Sequence, residues 1–159
     1  MEYNELMQSF AANVGVSALD VQDGAAALEI DGMTVGFVHD EEAGALMVVA
    51  EIGYPSPDSD GPFGSMMLKA NYLFGGTDGA VICQNPDTDA YALMRSLPLV
   101  SLDVETLASA VESLLNTAER WKGILSDAGE AENAKVSQDE KLADSTPLAG
   151  FPMDGFMQV

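Results

Sequence analysis

Positive charge is scarce in this sequence. Its 159 residues hold 6 Lys and Arg against 26 Asp and Glu, a formal net charge of −20. Phosphate recognition needs clustered Lys and Arg, and the six cations are scattered, which argues against nucleic acid as a partner. Anionic membrane surfaces are disfavoured on the same ground. Cys83 is the single cysteine, so no internal disulfide and no cysteine-based zinc cluster can form within the chain. His39 is the single histidine, and any Ser–His–Asp or Cys–His site would have to use it. No apolar run approaches the roughly 20 residues that span a bilayer. The opening residues, MEYNELMQSF, are acidic and amphipathic and lack the basic start and apolar core of a secretory signal. Together these absences predict a cytoplasmic acidic protein whose partner is basic, apolar or very small.

The apolar content is nevertheless 47%, and a chain of this length buries roughly 70% of its unfolded surface on folding. Tyr3, Leu6, Met7, Phe10, Ala11 and Val14 follow the helical spacing, with Gly15 as the stop. Residues 26–31 alternate and lead into Asp31-Gly32, a two-residue hairpin signal. Met33, Val35, Phe37 and His39 then share one face of a second strand. Residues 45–52 are almost continuously apolar, which predicts a third strand covered on both faces. After a Pro/Gly/Ser/Asp loop at 53–61, Pro62 opens a second helix running to about Phe74. It is apolar on more than one side, with Lys69 its only charge, and a subunit interface would cover the second side. Residues 80–84 and 90–95 read as an antiparallel pair. Asp103 caps a third helix striped by Leu107, Ala110, Val111, Leu114, Leu115, Ala118, Trp121 and Leu125. The order α-β-β-β-α-β-β-α predicts an α+β domain with helices against an antiparallel sheet.

Two segments follow from composition. Residues 1–125 form the domain, with a net charge of −15, and residues 126–159 form an acidic tail with seven acids, two bases and a net charge of −5. The tail lacks apolar periodicity to about residue 147 and reads as mostly flexible. It closes on an apolar run at 151–159 in which Phe151, Met153, Phe156 and Met157 are candidates for docking in a groove of this chain or a neighbouring copy.

No constellation in the sequence carries catalysis. Asn85, Asp87 and Asp89 have the alternate spacing of a calcium loop, but Ala90 and Ser96 occupy the positions that need Gly and Glu. Gly75 to Gly79 lacks the Lys-Ser/Thr of a phosphate loop. His39 beside Asp40, Glu41 and Glu42 sits on a turn where neighbours point apart, and Cys83 lies in an apolar strand as a buried thiol does. The sequence therefore predicts no catalytic residue, no metal and no cofactor. Its nine methionines, Met7 among them, instead suit adaptable protein binding.

The run ANYLFGGTDGA at 70–80, then NPDT at 85–88 and LPL…LD at 97–103, with IDG at 30–32 and EIG at 51–53 upstream, resembles class I type III secretion chaperones, the Tir-chaperone family. The resemblance covers about residues 3–125. It implies a non-enzymatic, virulence-associated homodimer in a bacterial cytoplasm. Such a protein binds the N-terminal region of an effector or translocator in extended form, prevents aggregation and presents it for export, with the secretion ATPase as a separate partner. Carried over by position, Leu6, Met7, Phe10, Val14, Leu28, Ile30, Val35 and Phe37 would bind the effector. Met66, Met67, Ala70, Asn71, Leu73, Phe74 and Val81 would form the dimer interface, with Cys83 beside them. The alternative is a regulator of the same fold that sequesters a transcription or secretion factor. The run 151–159 lies outside the family pattern.

Overall fold

The computed structural model describes residues 2–17, 19–55 and 62–143. Helix α1 spans Tyr3–Asn13 and ends as its sequence predicts. Gly15 adopts φ +84°, and the bonds Val16 N–H to Ala11 O (2.8 Å) and Gly15 N–H to Ala12 O (3.2 Å) close its last carbonyls. Strands β1 (Ala25–Ile30), β2 (Met33–Asp40) and β3 (Ala45–Gly53) follow as a meander. At the first hairpin, Asp31 and Gly32 both take positive φ, the left-handed turn that matches strand twist. Helix α2 (Pro62–Asn71) leads through a 3₁₀ turn at Tyr72–Phe74 to β4 (Val81–Gln84) and β5 (Tyr91–Pro98). A second 3₁₀ turn, Leu99–Ser101, precedes α3 (Val104–Ala143). The strands form one antiparallel sheet in the order β1-β2-β3-β5-β4, so the element order and α+β class expected from the sequence hold.

One sheet face carries the core. Leu28, Val35, Phe37, Leu46, Val48, Ala50, Ile52, Ile82 and Leu93 are buried on it against α1 and α3. Phe10 meets the Phe37 ring edge-on at 5.4 Å, and Tyr3 stacks on His39 at 4.7 Å. On α2, Phe63 packs against Tyr91 and, edge-on, against Trp121 of α3.

Three expectations are corrected. Strand β3 is not covered on both faces: Leu46, Val48, Ala50 and Ile52 are buried, while the alternate Met47 and Val49 are only half-buried. Its opposite face is apolar yet partly open, as is Val38 beside it. Helix α2 stops at Asn71 rather than near Phe74, because Leu73 and Phe74 take left-handed φ of 52° and 57° and break the helical path. Helix α3 does not stop near Leu125 but runs on to Ala143. Residues 126–143 are rich in Ala, Glu and Lys, whose intrinsic helix propensity sustains a helix where no apolar stripe exists. The tail-docking candidates Phe151, Met153, Phe156 and Met157 lie outside the described residues.

Candidate functional site

Three surfaces stand out among the described residues. The first is an apolar ridge on α2 and the turn after it. Leu68 (74% exposed), Tyr72 (75%) and Leu73 (79%) project into solvent, with Met66, Phe74 and Val81 also exposed. Met67, Ala70 and Asn71 are half-buried beside them. Of the seven residues expected at the dimer interface, Met66, Leu73, Phe74 and Val81 are exposed, while Met67, Ala70 and Asn71 are half-buried. A concentration of large exposed apolar side chains of this kind makes α2 and the turn after it a candidate contact surface.

The ridge is held in shape from behind. The Gly76 carbonyl accepts hydrogen bonds from Trp121 Nε1 (3.0 Å) and Arg120 (3.2 Å) of α3, and its N–H donates to Ala70 O at 3.0 Å. A Cβ at position 76 would sit 2.7 Å from that of Ala70, so only glycine allows this approach. The Arg95 guanidinium donates to the Asp78 carbonyl, and Ser113 Oγ donates to the Asp78 carboxylate at 2.7 Å. The glycine loop that superficially suggested phosphate binding is therefore a clamp between α2 and α3.

The second surface is the edge of the sheet. Strand β4 is one edge, yet it is closed at Ile82, whose backbone N–H and carbonyl both bond the side chain of Asn71 (2.8 and 3.1 Å). At the other edge, β1 pairs with β2 on one side. Among the described residues, Gln22 bridges only its first residue, Ala25, and the rest of this edge is unpaired.

The third is an apolar groove of about 220 Å³ between α1, the β1–β2 turn and α3. Phe10, Val14, Ile30, Ala108, Val111 and Leu115 line it, with Asp31, Glu112 and Asn116 also in its wall. Here the expected effector-binding set divides. Leu6, Met7, Leu28, Val35 and Phe37 are buried in the core and present no surface. Phe10 is wholly buried as well and forms the groove floor, and only Val14 and Ile30 reach outward. Periodicity identified an apolar face, but α3 and the sheet cover most of it. The α3 residues of the groove carried no separate sequence signal, being part of a stripe that also builds the core.

Cys83 is half-buried, its Sγ 3.6 Å from the Ala92 carbonyl, and burial pushes the thiol pKa up, away from a reactive thiolate. Among the described residues, no group of three or more His, Cys, Asp or Glu could hold a metal, and no helix is long and apolar enough to cross a membrane.

The fold and these surfaces define a class of helix-and-sheet binding proteins, and comparison with known proteins gives the family. The chain belongs to the Tir chaperone protein (CesT) family, whose pattern matches residues 5–122. None of the curated proteins matches the chain. Among solved structures, it is similar to a chain in the HopA1–SchA chaperone–effector complex, with 20% identity, a TM-score of 0.64, and coverage of 76% of this chain and 93% of that one. It is similar to a chain in the ExsC–ExsE complex (21%, 0.65, 77% and 92%). A third likeness is to a chain in the complex of the Yersinia pestis type III secretion chaperone SycH with a stable fragment of YscM2 (21%, 0.60, 75% and 98%). At these identities the likeness is one of fold.

Proposed function

We propose that this chain is a homodimeric type III secretion chaperone of the bacterial cytoplasm, acting by binding and not by catalysis. Its ligand is the N-terminal region of an effector or translocator, held extended, kept from aggregating and presented to the export machinery, where a secretion ATPase would receive it. The observation that carries this reading is the continuity of the open β1 edge with the apolar groove: Ile30 is both the last residue of β1 and a wall of the groove. A strand added to such an edge gains main-chain hydrogen bonds, and its apolar side chains gain a pocket at the strand's end. The solved complexes support the reading, since in them similar folds occur with effectors and other protein partners. The exposed α2 ridge supports self-association, as two copies would cover Leu68, Tyr72 and Leu73 mutually.

The test is co-expression with the N-terminal region of an exported protein encoded beside it, followed by hydrogen exchange on the purified complex. Slowed exchange across residues 25–30 is expected. A failure to form any complex overturns the chaperone reading, and protection confined to β4 overturns the edge assignment.

A further inference from the structure

We propose that the groove between α1 and α3 is covered, when no other partner is bound, by the apolar run 151–159 of a second copy of this chain. The groove has the right chemistry and size for an aromatic ring. An engineered cavity of about 150 Å³ lined by Leu, Ile and Phe takes up benzene, and this one offers about 220 Å³ over Phe10, Val14, Ile30, Val111 and Leu115.

The charge of the chain restricts which of its own segments can enter. The groove wall includes Asp31 and Glu112 in a protein of net charge −20, so an acidic segment is repelled. Residues 151–159 carry a single charged side chain, Asp154, beside Phe151, Met153, Phe156 and Met157. Their methionines and phenylalanines supply adaptable and rigid apolar contacts respectively.

Reach decides between the chain's own groove and that of another copy. Helix α3 advances about 1.5 Å per residue, so its end at Ala143 lies roughly 42 Å along the axis from groove residue Leu115. A fully extended chain covers at most about 3.5 Å per residue, which carries Phe151 roughly 28 Å and Met153 roughly 35 Å from Ala143. Both fall short of their own groove. Phe156 and Met157 attain roughly 45 and 49 Å, just past that distance, only with almost every residue extended and almost none spent on reversing direction. A second copy has no such restriction.

The experiment uses the full chain with Cys83→Ser and two new cysteines, Val14→Cys in the groove and Phe156→Cys in the run, under mild oxidation. Each new cysteine is also made alone as a control, and Asn116→Cys replaces Val14→Cys in a repeat in case the first site perturbs α1. A 14–156 or 116–156 disulfide joining two chains, identified by mass spectrometry of the linked peptides, is the expected result. The same bond within one chain overturns the second copy as occupant. Free thiols, or only 156–156 links, overturn the docking itself. Effector capture is measured separately with the unmodified chain, so neither result stands in for the other.

Discussion

Asn71 and Ile82 form a two-point clasp. The Ile82 N–H donates to Asn71 Oδ1 at 2.8 Å, and Asn71 Nδ2 donates to the Ile82 carbonyl at 3.1 Å. A side-chain amide here imitates the next strand of the sheet, satisfying one outward-facing donor and acceptor of an edge that would otherwise recruit another chain. Asn71→Ala should lower unfolding free energy by about 2 kcal/mol, one for each net hydrogen bond lost, and should raise the rate of aggregation. Urea denaturation with parallel light scattering checks both. Asn71→Asp keeps the acceptor but sets a carboxylate against the Ile82 carbonyl, and should be no better than alanine.

Burial separates Phe10 from Val14, although both lie on the same helix stripe. Phe10 is 0% exposed and Val14 is 37% exposed. Phe10→Asp or Leu6→Asp places a carboxylate in a dry core and should cost more than about 4 kcal/mol, abolishing the folded circular dichroism spectrum. The sequence alone suggests folded but binding-deficient variants at these two positions. Val14→Asp should behave that way instead, shifting stability by no more than about 0.5 kcal/mol while partner affinity falls. Calorimetric titration against the effector segment reads the second quantity.

Leu73 holds a left-handed φ of 52° with its side chain 79% exposed. That backbone costs a non-glycine residue about 1 kcal/mol or more, with little packing among the described residues to offset it. Leu73→Gly should therefore stabilise the isolated protomer by about 1 kcal/mol and weaken self-association. Denaturation at high dilution and sedimentation over a concentration series separate the two effects. Unchanged self-association would place Leu73 outside the interface.

Gly76→Ala forces its new methyl against Ala70, where the gap is 2.7 Å. The loop must move away from α2, at a cost of about 1–3 kcal/mol, and the Trp121 bond to the Gly76 carbonyl lengthens. Because Trp121 is the single tryptophan, a red shift of its emission in the folded variant is the expected signature.

Asp103 caps α3, its Oδ1 accepting from the Thr106 N–H at 2.8 Å. The Thr106 side chain and backbone bonds hold its carboxyl pKa below the ordinary value. The sign follows directly: with the folded pKa depressed, the cap stabilises fully above the unfolded pKa, and this contribution is lost as pH falls through the folded one. Asp103→Asn should flatten the decline of melting temperature with acidification below about pH 4, without much change near neutrality.

Much of the architecture is readable from spacing. The alternation of Met33, Val35 and Phe37 marks their buried face, and Asp31-Gly32 gives the hairpin and its register. What spacing omits is the identity of the cover. Leu6, Met7 and Phe10 are as apolar as Leu68 and Leu73, yet the first three are wrapped by α3 and the sheet, while the last two stay largely exposed among the described residues. The nearly continuous apolar run of β3 likewise hides that one of its faces is only half-covered. The Asn71–Ile82 clasp has no local signature, since it joins residues 11 apart through a connection with four left-handed backbones, at Leu73, Phe74, Asp78 and Gly79.

A sheet with one plugged edge and one free edge has a direction. Helix α2 lies against β4, so two copies meeting through α2 would turn their plugged edges towards each other and their free β1 edges outward. Such a pair has a valence of two, and its stoichiometry then depends on ligand length. A short segment occupies one site and leaves the other for a second molecule. A longer one, anchored at the first site, meets the second at an effective concentration in the millimolar range and occupies both. One chaperone could thus count its cargo by contour length, one long chain or two short ones per pair.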